Sequence, residues 1–187
     1  MSLQTEILDF WFGPEDSPEY GKDREAWFKK DADFDAEIQR RFGDAVADAI
    51  NGTLEDMANS PKGALALIIL LDQFTRNIYR GDPRSFAGDD RALRIAKEAV
   101  AAGWDRDLPP TLRSFVYLPY EHSEALEDQD TSIYLFKNFG AEGKLEWAVK
   151  HRDIIVRFGR FPHRNAVLGR KTTPEEAEFL TQPNSSF

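Results

Sequence analysis

Apolar positions recur along this chain at spacings of three and four, the period of a helix face, and no run alternates with period two. Leu3, Ile7, Leu8 and Trp11 predict a helix over residues 3–12, stopped by Gly13-Pro14. Residues 14–22 read as loop, and a short helix carrying Trp27 and Phe28 is expected over residues 23–30. Asp33 reads as the N-cap of a long helix with Phe34, Ile38, Phe42, Val46 and Ile50 on one face, ended by Asn51-Gly52. Ser60-Pro61 is a cap followed by proline at the first helical position, opening a helix to about Tyr79. Further helices are expected over residues 89–102, from Pro109-Pro110 to a kink or end at Pro119, from an Asp130 cap to Gly140, and over residues 143–158. Thr173-Pro174-Glu175-Glu176 is a capping box that opens a last helix reaching Leu180. The expected fold class is all-α, about nine or ten helices in antiparallel hairpins, forming one domain over residues 1–187. No repeat of about 34 residues is visible.

Composition narrows the function classes. The absence of cysteine excludes a disulfide scaffold, a thiol nucleophile and a cysteine-ligated zinc site. The most apolar stretch, residues 64–71, is far shorter than the ~20 residues that span a bilayer, and MSLQTEILDFWF has no secretory pattern. A cytoplasmic protein with no membrane partner is the expectation. A net charge of −9 opposes a general nucleic-acid binder. That charge is uneven: residues 1–60 sum to −9, whereas residues 147–171 hold seven bases against Asp153. The basic segment is either a charge-balancing surface or one side of an anion site.

Three polar clusters carry the candidate chemistry. On the most apolar helix, Asp72 and Arg76 lie four apart, as do Gln73 and Asn77, so each pair shares a face. Around Pro119, Glu121, His122 and Glu124 combine an imidazole with carboxylates, a pairing suited to proton transfer, with His122 and Glu124 as candidate catalytic residues. His-x-Glu is a weak metal pattern, and with three histidines and scattered acids neither a metal nor a cofactor is expected. The third cluster is His151 followed by Arg160, His163, Arg164 and Asn165. The period puts His151 on the apolar face with Trp147, and the guanidinium groups suit carboxylate or phosphate.

Leu8-Asp9-Phe10-Trp11-Phe12, residues 71–81 (LDQFTRNIYRG), Tyr120-Glu121-His122-Ser123-Glu124 and residues 158–165 (FGRFPHRN) with Leu168-Gly169-Arg170 carry a resemblance. Over nearly its whole length the chain resembles the bacterial domain-of-unknown-function family 924. The resemblance implies a tetratricopeptide-like, all-helical fold and transfers no activity, substrate or catalytic residue. Thr75 departs from it, standing where that family often has proline. Three functions remain open. One is a scaffold whose helical hairpins hold a peptide or protein partner in a groove. Another is a protein that binds a small anionic molecule, or an enzyme such as a small-molecule hydrolase acting on one. Its ligand would be held by Gln73, Arg76, Asn77, His151, Arg160, His163, Arg164 and Asn165. This reading requires the three clusters to converge. The last is a nucleic-acid contact through residues 147–171, which the net charge opposes.

Overall fold

Helices begin in this chain where a side chain can answer their first unpaired amides. The computed structural model describes residues 1–140 and 142–186. Helix α1 (Leu3–Phe12) starts on Ser2, whose Oγ accepts from Thr5 N at 3.2 Å. Helix α2 (Ala32–Asn51) starts two residues earlier than its sequence suggests. Asp31, not Asp33, accepts from the Asp33 and Phe34 amides at 3.0 and 3.2 Å. Residues 23–30 hold only a 3-10 turn, Glu25–Trp27. Its purpose is to seat Trp27, whose Nε1 donates to the Trp11 carbonyl at 3.0 Å. Trp11 in turn lies 5.4 Å from Phe74 and 5.9 Å from Phe115, ring centre to ring centre, so aromatic edges knit α1 to the centre of the molecule.

That centre is one helical rod in three pieces. Helix α3 (Pro61–Ile68) runs into a π-helical segment (Ile69–Phe74) and then α4 (Thr75–Ile78). Gly63 through Asp72 are all buried. Each buried leucine or isoleucine there contributes about 1.5–3 kcal/mol of apolar burial. The rod packs on α1 and α2, and on α5 (Asp89–Ala101) and α6 (Pro110–Glu121). Helices α7 (Leu126–Asn138) and α8 (Glu142–Phe158) form a hairpin beside α6, and α9 (Pro174–Leu180) follows a loop. Counting the central rod once, the described residues form eight helices and no strand.

Three local differences from the sequence reading shape the site. The π segment adds a residue to the helix where Asp72 lies, as π bulges often do at functional positions. Pro119 does not end α6, which continues to Glu121. Helix α7 begins at Leu126 rather than at Asp130, because buried Gln129 is needed at its start. Gln129 Nε2 donates to the Glu121 and Ser123 carbonyls, both at 2.7 Å, answering the carbonyl groups that the end of α6 leaves open. His122 sits on that braced end.

Candidate functional site

Asp72 is fully buried by the time the central rod reaches α6. His122 Nδ1 lies 2.7 Å from its Oδ1, fifty residues away in sequence. Gln73 Nε2 donates to Asp72 Oδ2 at 2.6 Å, and Arg76 Nη1 lies 3.3 Å from Asp72 Oδ1. Burial pushes the Asp72 carboxyl up, but the His122 ring and the Arg76 guanidinium outweigh it, and the group lies below the ordinary carboxylate range. Burial is also the largest influence on His122 and holds its pKa below the ordinary value, against the pull of Asp72. A neutral imidazole facing an ionised carboxylate carries its proton on Nδ1. Its Nε2 then keeps a lone pair. The side chain is 15% exposed, and no hydrogen bond from another described residue reaches Nε2.

Asp89 brings in the arginines. Arg76 donates to both of its oxygens, at 2.9 and 3.0 Å, and Arg164 Nη1 donates to Oδ2 at 3.3 Å. Asp89 is the first residue of α5, whose turn is seated by Gly88. A side chain at Gly88 would collide with the Leu71 carbonyl of the π segment, so glycine is what lets α5 press its first turn against Asp72 and Arg76. Arg164 Nη2 also donates to the His122 carbonyl at 3.0 Å. Its guanidinium lies 4.7 Å from the ring centres of both Phe86 and Phe161. Burial, with Arg76 nearby, lowers its pKa to about 10, so it remains a cation at neutral pH.

Behind His122 lies a second acid–imidazole pair. Glu121 Oε1 and His151 Nδ1 are 3.0 Å apart, and His151 Nδ1 also donates to the Trp147 carbonyl at 2.9 Å. The His151 ring centre is 6.1 Å from that of His122 and 5.6 Å from that of Phe161. Burial, and next the charge of Asp72, raise Glu121 to about 8. Burial drives His151 down to about 3, and burial with Arg164 drives His163 down to about 4. At neutral pH this region therefore holds uncharged imidazoles, one protonated carboxyl, and two carboxylates against two guanidinium groups.

The structure brings together Gln73, Arg76, His122, His151, His163 and Arg164 from all three sequence clusters. It takes four other candidates elsewhere. Asn77 Nδ2 donates to Asp35 on α2 at 2.7 Å. Arg160 and Asn165 both donate to Glu176, at 2.6 and 3.2 Å. Glu124 accepts two bonds from Arg170, at 2.7 and 3.0 Å, and a third from the Phe161 amide at 2.8 Å. Burial would raise the Glu124 pKa, but these donors hold it below the ordinary value, so Glu124 is a saturated carboxylate rather than an acid facing His122. The carboxylate that serves His122 is Asp72. Sequence reasoning paired Asp72 only with Arg76 and passed over Asp89, which looks like an ordinary acidic residue in a first helical turn. The expectation for Trp147 also changes: it lies 45% exposed with Lys150 over its ring, while Ala148 and His151 face inward. Among the described residues no group of three or more potential ligands is placed to hold a metal ion.

A family described as bacterial protein of unknown function (DUF924) matches residues 7–184. The chain is similar to a solved protein of unknown function from Agrobacterium tumefaciens, with 41% identity and a TM-score of 0.85. That likeness covers 95% of this chain and 96% of the other. No curated protein matches.

Proposed function

The chain belongs to this bacterial family of unknown function, and we propose that it binds a small anionic molecule at the face formed by Arg76, His122 and Arg164, with His122 acting on it as a general base. The observation that carries this reading is the buried Asp72 carboxylate 2.7 Å from His122 Nδ1. A carboxylate so placed fixes ring orientation and tautomer and leaves Nε2 to accept a proton. The anionic class follows from Asp89. Two guanidinium groups already hold one carboxylate, bidentate from Arg76 and by a single bond from Arg164, which is the recognition geometry for a carboxylate or phosphate group. Asp89 is therefore the internal rival of the ligand.

Hydrolysis by a water activated at Nε2 is the reaction class this base would serve. A peptide groove has less support. Gly63 through Asp72 of the central rod are buried, and the clefts between Glu55, Arg94, Glu98 and Trp104 (about 300 Å³) and between Leu126, Asp130 and Tyr134 (about 460 Å³) are small for an extended chain.

Inorganic phosphate and a small dicarboxylate, each against chloride at equal ionic strength, test the reading by thermal shift. A ligand specific to the folded state raises the melting temperature. Wild type is expected to respond, Asp89→Asn to respond at lower ligand concentration, and Arg76→Gln to lose the response. No response in wild type and in Asp89→Asn refutes the anion site. Carbethoxylation tests the base: His122 Nε2 is expected to react with diethyl pyrocarbonate ahead of His151 and His163, and protection of His122 by neither ligand refutes its place in the site.

A further inference from the structure

The loop of residues 160–173, between α8 and α9, is built as a closed ring of its own. Its two ends are tied together, with Arg160 Nη2 donating to the Lys171 carbonyl at 2.8 Å and Arg160 Nε to Glu176 at 2.6 Å. Across its middle, Arg170 Nε donates to Asn165 Oδ1 at 3.0 Å, and Asn165 passes the chain of bonds on to Glu176. Gly159, with φ of 68°, makes the turn out of α8 in the left-handed region. The far end is fixed by Phe179 of α9 packed on Phe158, with ring centres 5.0 Å apart. Compact loops with joined ends, packed by their own side chains, are frequently functional.

What this loop covers is the His122 face. It supplies His163 and Arg164, and Arg164 reaches the His122 carbonyl at 3.0 Å and Asp89 at 3.3 Å. Beside those two Arg164 bonds and the ties to Glu176, its polar attachment includes three bonds to one residue. Glu124, on the short link between α6 and α7, takes both Arg170 bonds and the Phe161 amide. The buried Phe161 ring supplies the apolar part of that attachment.

We propose that residues 160–173 form a cover over the His122 face and that Glu124 is the latch that holds it shut, so that ligand entry requires the cover to lift and ligand binding, through Arg164, closes it. Glu124 is then a positioning residue: it acts through the loop and touches no ligand. The importance of the cover rests on the anion-site reading above, but its motion is measured independently of any ligand.

Hydrogen exchange and carbethoxylation of the full chain read the latch directly. Glu124→Ala removes all three bonds. Arg170→Gln is a second variant that spares the Phe161 amide bond but also removes the Arg170 bonds to Asn165 and to the Phe161 carbonyl, so the two variants break the latch from opposite sides. In both, exchange at the Phe161 and Arg164 amides is expected to rise about tenfold or more, the scale of losing charge-assisted bonds. His122 carbethoxylation should rise with it, while amides of α3 keep their wild-type rates. Loop and His122 rates that stay at wild-type values in both variants, or that rise only in step with α3, overturn the latch. If the loop rates rise as expected while phosphate binds none of the proteins, the latch stands and the anion reading falls. If phosphate binds wild type but leaves loop exchange unslowed, the coupling through Arg164 is overturned.

Discussion

Glu121→Gln isolates a carboxyl group that the fold keeps protonated at neutral pH. Its side chain is 4% exposed, against His151, and burial with the charge of Asp72 raises its pKa from 4.5 to about 8. The sign follows from proton linkage. Between pH 4.5 and about 8 the folded chain holds a proton that the unfolded chain has released. Stability therefore declines as pH rises through that window and levels off above it. The rise from 4.5 to about 8, at about 1.36 kcal/mol per pH unit, sets a ceiling of about 5 kcal/mol on the loss. Glutamine keeps the shape and one acceptor oxygen but cannot ionise, so the variant should escape this decline.

The assay is urea unfolding of both proteins at about pH 5 and about pH 8.5, read as the difference in unfolding free energy at each pH. The variant is expected to gain on wild type by several kcal/mol, and by no more than about 5 kcal/mol, across that interval. A difference that stays constant with pH refutes the assignment of a protonated Glu121. A carboxyl that is ionised and stabilised in the folded state would leave the difference flat across this interval and change it only below about pH 4.5.

Asp72→Ala should cost about 3–5 kcal/mol in denaturant unfolding, because it strips a buried partner from His122 and Gln73 and leaves Arg76 with Asp89 and the backbone carbonyl of residue 72. A loss below about 1 kcal/mol would show that the carboxylate is dispensable to the fold. Gly88→Ala places a methyl group against the Leu71 carbonyl and should lower stability by about 1–3 kcal/mol in thermal unfolding, with weaker phosphate binding because Asp89 shifts. In nitrogen-resolved NMR, His122 should show the Nδ1-protonated tautomer at neutral pH and titrate below the ordinary histidine range. Asp72→Asn should lower its pKa further, since Asp72 is the partner that raises it.

Local signals in the chain were readable because their physics is local. Ser60 with Pro61 and Thr173 with Glu176 each place a side-chain acceptor within four residues of the amide it caps, and both helices start there. The long apolar run at residues 64–71 declared a buried helix for the same reason. What was hidden depends on partners distant in sequence. A proline in mid-helix looks like a stop, but α6 continues through Pro119 to Glu121 and its end is braced by Gln129. The π turn at Asp72 has no signature in residue spacing, yet it lies where the central rod presents that carboxylate to His122.

Charge shows the same limit most clearly. Residues 147–171 carry a surplus of six positive charges, which reads as an invitation to a polyanion. In the fold, Lys150 pairs with Glu146, Arg152 with Asp130, Arg157 with Glu175, Arg160 with Glu176, Arg164 with Asp89 and Arg170 with Glu124. All six of these acids lie outside the segment, so these basic side chains are paired with the rest of the chain itself. The pairs differ in exposure, and that difference separates their roles. Lys150, Arg152 and Arg157 are solvated partners on a surface helix, where an ion pair contributes little. Arg164 is 9% exposed and is stacked between two phenyl rings, so its charge is held in place at the cost of desolvation. A cation fixed in that way beside an oriented imidazole is the arrangement a small anion can use, provided Asp89 gives up its place.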